Sequence, residues 1–177
     1  MNIAEKLYCR IFQTCFCIAI PILPYRNPDV LSTEEEIAEV LKKNRIVSVL
    51  IVTDESLYRL GLLDKLKKTL EEAKVTYTIY DKTVANPTIA NVEEARALYI
   101  ENTCNGIIGF GGGSPMDCAK AVGARIAKPK QSIPKMKGIL KIHKRLPLFI
   151  AVPTTEALAW NFCGSDAVIC PLMDARR

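Results

Sequence analysis

Residues 111–117, Gly-Gly-Gly-Ser-Pro-Met-Asp, combine the residue types that a phosphate-binding turn needs. The apolar run Gly106–Phe110 precedes them and a helical pattern from Pro115 to Ala127 follows, which predicts a strand, a glycine turn and a helix N-terminus. The three glycines allow positive φ and let the backbone approach a ligand with no Cβ in the way. The unpaired N–H groups and the positive dipole end of the helix suit a diphosphate.

The start of this helix carries a predicted cap. Ser114 is expected at the N-cap, Pro115 at the first helical position and Asp117 at the third, so that Asp117 completes a capping-box-like pair rather than acting as a catalyst. The segment Gly109-x-Gly111-x-x-Ser114 only approaches the fingerprint G-x-G-x-x-G, and no Lys-Ser/Thr follows to make a P-loop. A purely structural glycine turn therefore stays open as the alternative.

Two further polar sites follow buried strands. Asp54 ends Val52-Thr-Asp54, and Thr154 and Thr155 follow the run Leu148–Val152. Ligands of open α/β sheets gather at the carboxyl ends of the strands. A carboxylate at Asp54 could accept hydrogen bonds from an adenosine ribose and would repel a 2′-phosphate, although Asp54 could equally begin the next helix.

The elements that must position these residues alternate along the chain, and this order predicts right-handed crossovers and a Rossmann-like, doubly wound, mainly parallel α/β sheet. Helices are expected after an N-cap in Ser32–Glu36 through Lys43, around Leu62, Leu63, Leu66 and Leu70, over Ile89–Asn102, and over Pro115–Ala127. Strands are expected at Ile46–Val52, Val75–Tyr80, Gly106–Phe110 and Leu148–Val152, with Ile46–Val52 too apolar to alternate and therefore buried on both faces.

The composition is that of one globular domain. The 177 residues are 49% hydrophobic and 24% charged, with a net charge of +5, which excludes a disordered chain. Seven cysteines show no C-x-x-C pair, so no zinc site is predicted; reduced thiols in the cytoplasm are the expectation.

The two chain segments outside the alternating region are ambiguous. The apolar run Ile11–Leu23, interrupted by Pro21, is too short to span a membrane. It is predicted to be a buried strand or hairpin, with a secretory signal as the alternative. Nine Lys or Arg and no acid occur over Lys120–Arg145. A solvated surface is favoured over a nucleic-acid site because the stretch has no aromatic residue for stacking.

Four motifs in order resemble the N-terminal domain of iron-containing (group III) alcohol dehydrogenases, most closely the bacterial butanol-dehydrogenase-like members. They are Val52-Thr-Asp54, Asn86-Pro-Thr88, Gly109–Lys120 and Val152-Pro-Thr-Thr155, and the likeness runs from about Tyr25 to Thr155. The resemblance implies a cofactor-binding set, which is Asp54, Asn86, Gly111, Gly112, Gly113, Ser114, Asp117, Thr154 and Thr155.

Within that set the resemblance also implies roles. Gly111–Ser114 would bind the pyrophosphate, and Asp54 would face the adenosine ribose and favour NAD over NADP. Asn86 would lie near the cofactor, while Thr154 and Thr155 would line the path from phosphate to nicotinamide. The implied reaction is hydride transfer between a small primary alcohol or aldehyde and the nicotinamide.

The family's Fe²⁺ is held by an Asp and three His of a helical second domain, whereas this sequence has one histidine, His143. No metal ligand or catalytic residue is therefore assigned. The expectation is a truncated cofactor-binding fragment that is inactive alone, with a homodimer as one assembly. The alternative is a non-catalytic nucleotide-binding or dimerisation module.

The likeness stops after Thr155, where the family continues Ala-Gly-Thr-Gly-Ser-Glu and this chain does not. The segment Ala167–Ile169 resembles the family's next strand. Compensating reading-frame slips or ordinary divergence would both explain the intervening block. The predicted organisation is an apolar N-terminal segment (1–24), a dinucleotide-binding domain (25–155) and a divergent tail (156–177).

Overall fold

The computed structural model describes residues 33–136 and 144–154, the shorter pieces 7–8, 10–11, 13–15 and 29–31, and the backbone of a strand at 167–169. Its helices are α1 (Glu34–Lys43), α2 (Glu55–Arg59), α3 (Asp64–Glu72), α4 (Ile89–Glu101), α5 (Gly113–Ala127) and α6 (Ile133–Met136). Its strands are β1 (Ser48–Val52), β2 (Thr76–Tyr80), β3 (Gly106–Gly111), β4 (Leu148–Pro153) and β5 (Ala167–Ile169).

The five strands form one parallel sheet in the order β2-β1-β3-β4-β5. In register, Val52 pairs with Tyr80 on one side and with Gly109 on the other, and Gly111 pairs with Pro153. The chain passes from β1 to β2 on one side and then returns to β3 on the other. This reversal leaves a crevice at the carboxyl ends of β1 and β3, which is where open α/β sheets bind ligands.

Helices cover both faces of the sheet, which confirms the predicted α/β fold. One face packs against α4 and α5 through a cluster that includes Val92, Tyr99 and Met116. The other packs against α1 and α3 through a cluster that includes Ile37 and Leu66. Every residue of β1 and β3 is buried, which explains why, apart from Ser48, the two strands contain only apolar residues and glycine.

The prediction for Leu62 is wrong. The helix begins at Asp64, so Leu62 lies in the preceding turn with 39% of its surface exposed. Leu63, at the N-cap, is fully buried in its place.

The N-terminal segment also differs from its prediction. All described residues between 7 and 15 are helical, and Thr14 Oγ1 donates a hydrogen bond to the carbonyl of Arg10 at 2.9 Å. Leu7, Tyr8 and Ile11 are more than half exposed. The predicted buried strand or hairpin is therefore wrong for these residues. A short apolar run does not by itself distinguish strand from helix, and the part from residue 16 to 28 lies outside the described residues.

Several other predictions can be compared with the structure only in part, because some of their residues lie outside the described ranges. The strand Ala167–Ile169 is confirmed and pairs with β4, whereas the rest of the tail from Thr155, and His143, lie outside the described ranges. Cys15, Cys104 and Cys118 are free thiols. Within the part of the chain that is described, no helix is long and apolar enough to cross a membrane.

Candidate phosphate-binding site at the sheet edge

At the end of β3, neighbouring side chains leave no room for a Cβ at two of the glycines. Gly111 has φ of +133°, and a Cβ there would lie 2.7 Å from Leu57 Cδ1. A Cβ on Gly109 would lie 2.9 Å from Met116 Sδ, so this glycine lets α5 pack closely on β3. Both positions are glycine because of the protein's own packing.

Gly112 differs from its neighbours. Its backbone is extended, with φ of −82° and ψ of −163°, which any residue adopts. Apart from Gly112 and its two chain neighbours, no atom of the described residues lies within 4 Å of the position that a Cβ would take. Neither backbone strain nor packing inside the protein therefore requires glycine here. Close approach of a ligand to the backbone would account for glycine at this position.

The helix after the turn begins two residues earlier than the cap pattern predicts. Gly112 is the N-cap of α5 and no side chain caps it, so Ser114 takes the second helical position and Pro115 the third. The predicted cap of Ser114 and Asp117 is wrong. Asp117 is exposed, and its Oδ1 lies 3.9 Å from Lys120 Nζ. The early start is tolerated because proline gives up only an N–H that the first turn leaves unpaired.

The consequence is a bare helix N-terminus. The first backbone hydrogen bond of the helix runs from Met116 N to the Gly112 carbonyl at 3.3 Å. The N–H groups of Gly113 and Ser114 have no acceptor within the helix. Two N–H donors and the positive end of a 15-residue helix therefore face the space beside Gly112, where they suit an anion.

The loop that follows β2 contacts this helix N-terminus. The main-chain N–H of Asn86 donates a hydrogen bond to Ser114 Oγ at 3.3 Å, and Asn86 has φ of +57°. The base of the loop is fixed by Asn91, whose Nδ2 donates to the Lys82 carbonyl at 3.0 Å. Asn91 also forms a capping box with Thr88. Asn86 thus lies beside the glycine turn, and its place near the cofactor stays a prediction.

Asp54 lies at the carboxyl end of β1 and begins α2, so the helix-start alternative describes its local role. Its Oδ1 accepts a hydrogen bond from Leu57 N at 3.0 Å. Its Oδ2 accepts none from the described residues. Because Leu57 lies against the space above Gly111, this N-terminus packs beside the glycine turn, and the second carboxylate oxygen remains available to a ligand.

The end of β4 completes the edge. Thr154 N donates a hydrogen bond to the Gly111 carbonyl at 3.1 Å, so the turn is held between β4 and the loop of Asn86. Thr155 lies outside the described residues. Direct hydrogen bonds therefore connect the turn to Asn86 and Thr154, α2 brings Asp54 beside it, and Asp117 lies apart on the exposed side of α5.

The sequence analysis did not predict the hydrogen-bond network that supports the loop of Asn86. Tyr80, 2% exposed, donates to Glu94 Oε2 at 3.1 Å and accepts from Asn91 Nδ2 at 3.0 Å. Burial raises the pKa of Tyr80 to about 12, so it stays a neutral anchor for the loop. The spacing Thr88-x-x-Asn91 was the available signal, because it matches a capping box with Asn in the place of Glu or Gln.

Nucleophilic and metal chemistry find little support in the described ranges. Burial raises the pKa of Cys118 to about 11, which keeps it a thiol at neutral pH and not a thiolate nucleophile. Among residues 33–136 and 144–154 and the shorter pieces, no three His, Cys, Asp or Glu side chains are grouped to hold a metal ion. These residues do not fit an iron site.

Comparison with known proteins identifies a family and relatives for this chain. The sequence profile of the family described as "Iron-containing alcohol dehydrogenase" matches residues 30–160. The chain is 38% identical over 125 residues to "Alcohol dehydrogenase 4" of Schizosaccharomyces pombe, a match that covers 70% of this chain and 29% of that protein. The chain thus spans less than a third of this relative's length.

Solved structures share the fold. The chain is similar to "Alcohol dehydrogenase from Oenococcus oeni", with a TM-score of 0.72 and 24% identity over 83% of this chain and 45% of the other. It is also similar to a sulfoacetaldehyde reductase from Bifidobacterium kashiwanohense solved in complex with NAD+, with a TM-score of 0.61 and 19% identity over 83% and 45% of the two chains.

Proposed function

This chain belongs to the iron-containing alcohol dehydrogenase family, and on that premise we propose that the carboxyl edge of its sheet binds NAD(H) in preference to NADP(H). One observation carries the proposal. The uncapped N-terminus of α5 begins at Gly112, where a Cβ would meet no atom within 4 Å beyond the adjacent residues, so that neither strain nor packing inside the protein calls for glycine. A fold neighbour solved with NAD+ supports it.

The pyrophosphate would lie over Gly112. The N–H groups of Gly113 and Ser114 donate hydrogen bonds to its oxygens, and the helix dipole favours its negative charge. The hydroxyl of Ser114 adds a third donor on the same side. Charge-assisted hydrogen bonds of this kind are about twice as strong as neutral ones, so this turn supplies much of the affinity.

Asp54 would set the choice of dinucleotide. Its Oδ1 is engaged with Leu57 N, and its Oδ2 accepts hydrogen bonds from the hydroxyls of the adenosine ribose. A 2′-phosphate at the same place would bring two negative charges together and would lose affinity. Asn86 and Thr154 flank the turn, and Thr155 continues the same edge along the sequence.

In the reaction of the family, the nicotinamide would accept a hydride from a small primary alcohol or donate one to the corresponding aldehyde. The residues of this chain bind and orient that cofactor. Because its described residues do not fit iron and its sequence holds one histidine, we propose that this chain alone binds NAD(H) without turning over alcohol. Its location would be the cytoplasm.

Calorimetric titration of NADH into the purified chain tests the binding. We expect saturable binding of one NADH per chain and weaker binding of NADPH. Absence of saturable NADH binding would overturn the proposal. A parallel assay with NAD+ and either ethanol or butanol, with and without Fe²⁺, tests the inactivity. Turnover by the pure chain would contradict that part.

A dimerisation module is the second candidate, and the helical N-terminal residues favour it. Leu7, Tyr8 and Ile11 are 58%, 71% and 56% exposed, and their spacing places them on one side of a helix. Pairing of this face in a homodimer would remove it from water. Size-exclusion chromatography of the full chain and of a chain lacking residues 1–24 tests this candidate, because an unchanged oligomeric state would refute it.

A further inference from the structure

The loop tip at Asn86 is built around an unusual backbone conformation. Asn86 has φ of +57°, in the left-handed region where glycine and asparagine are the residues best tolerated. Its carboxamide makes no hydrogen bond within the described residues, whereas its main-chain N–H donates to Ser114 Oγ. The structural role of Asn86 is therefore carried by its backbone.

The hydrogen bond from Asn86 determines what the Ser114 hydroxyl can do. A hydroxyl offers one hydrogen and two lone pairs, and the N–H of Asn86 occupies one lone pair. The hydroxyl hydrogen must then point away from Asn86, and no described residue accepts it. It remains as a donor next to the unpaired N–H groups of Gly113 and Ser114.

The position of the Asn86 N–H is held from both sides of the loop. Asn91 Nδ2 binds the Lys82 carbonyl, and Asn91 Oδ1 accepts from Thr88 N at 3.0 Å. Since Tyr80 is buried and also bound to Asn91, this base is part of the core. The loop therefore presents one N–H at a fixed place beside the glycine turn.

We propose that Asn86 is a positioning residue that acts through its left-handed backbone, which orients the Ser114 hydroxyl so that its hydrogen is donated to a cofactor phosphate. This inference rests on the proposed NAD(H) binding. It differs from a direct contact of the Asn86 side chain with the cofactor, because it assigns the effect to the main chain. Glycine at position 86 accepts positive φ but has no side chain, so it should preserve most of the NADH affinity.

Four variants test the proposal by NADH titration calorimetry: Asn86→Gly, Asn86→Ala, Ser114→Ala and the double variant Asn86→Ala with Ser114→Ala. Alanine disfavours the left-handed conformation and glycine accepts it. We expect Asn86→Ala to weaken NADH binding about tenfold, and Asn86→Gly to bind at least about fivefold more tightly than Asn86→Ala. In the Ser114→Ala background, Asn86→Ala should weaken binding by less than about twofold further.

The contrary results are distinct. Equal losses in Asn86→Gly and Asn86→Ala would assign the contact to the side chain and overturn the inference alone. So would additive losses in the double variant. Absence of NADH binding by the unaltered chain would overturn the proposed function together with it.

A measurement without cofactor gives an independent check of the hydrogen bond itself. Amide hydrogen exchange at residue 86 should be faster in Ser114→Ala than in the unaltered chain, with global unfolding unchanged. Equal exchange rates would show that Ser114 does not hold this N–H, and the inference would fail.

Discussion

Gly112→Ala should separate binding from stability, if the open space beside this residue is taken by the proposed cofactor and by no group of the protein. The backbone is extended and a Cβ meets nothing within 4 Å, so no strain or clash arises. Alanine reduces the entropy of the unfolded chain, which stabilises the fold by about 0.4–1 kcal/mol. Alanine is also a poorer N-cap than glycine, at a cost of the same order. The free energy of unfolding should therefore change by less than about 1 kcal/mol.

NADH binding should respond much more strongly. The methyl group would occupy the space over which the pyrophosphate lies and would move it away from the N–H groups of Gly113 and Ser114. Loss of one hydrogen bond to a charged group costs about 1.5–3 kcal/mol, which corresponds to a weakening of at least about tenfold. Calorimetric titration measures the affinity, and urea denaturation measures the stability.

The matched control is Gly109→Ala, three residues earlier, in strand β3. Its Cβ would lie 2.9 Å from Met116 Sδ and 3.2 Å from Ala119 Cβ, and overpacking of this kind costs about 1–3 kcal/mol. The two glycines should thus show opposite patterns: Gly109→Ala loses stability, whereas Gly112→Ala loses affinity. Unchanged NADH affinity in Gly112→Ala would refute the assignment of this space to the cofactor.

Three further outcomes follow from the structure. Asp54→Asn should keep the cap on Leu57 N, since Asn caps helices as well as Asp. Without the carboxylate charge, the ratio of NADPH affinity to NADH affinity should rise at least about fivefold. An unchanged ratio would show that Asp54 does not select the cofactor. Hydrogen bonding to Arg125 lowers the pKa of Glu93, so Glu93→Gln should lower the free energy of unfolding above pH 5. The expected loss is only about 1 kcal/mol, because the Glu93 side chain is 37% exposed and solvent screens its charge. That difference should be lost as the pH falls from the ordinary pKa of a glutamate, about 4.3, through the lowered pKa of Glu93 in the folded chain. A difference that persists in acid would contradict the assignment. Iodoacetamide at pH 8 should modify the exposed Cys15 and leave Cys118 intact, as peptide mapping would show, because burial raises the pKa of Cys118 to about 11; modification of Cys118 in the folded chain would show that the thiol is accessible.

The fold was predictable wherever burial left a continuous signal in the sequence. Fully buried parallel strands have apolar runs, so β1, β3 and β4 were identified, and the alternation with helices then determined the sheet. The first residues were predicted wrongly because the run from Ile11 has no decisive period, and the described residues before Phe16 are helical. Local patterns of this kind are ambiguous until packing decides between them.

The placement of the candidate site residues at one sheet edge was predictable, but their local structure was not. Strand ends placed Asp54, Gly111 and Thr154 at one edge because parallel strands share that edge. The helix start was misplaced, since Ser114-Pro115 matches a cap pattern and the glycines allow the helix to begin earlier. The left-handed backbone of Asn86 depends on its tertiary contact with Ser114, and no local pattern encodes that contact.

Mapping of amide chemical shifts on addition of NADH tests the central claim most directly, because the claim names the groups that touch the cofactor. The account predicts that the largest shifts occur at the amides of Gly112, Gly113 and Ser114, with smaller shifts at Asp54 and Thr154. Saturable binding with its largest shifts at the opposite edge of the sheet, near Asn44 and Asn105, would contradict it.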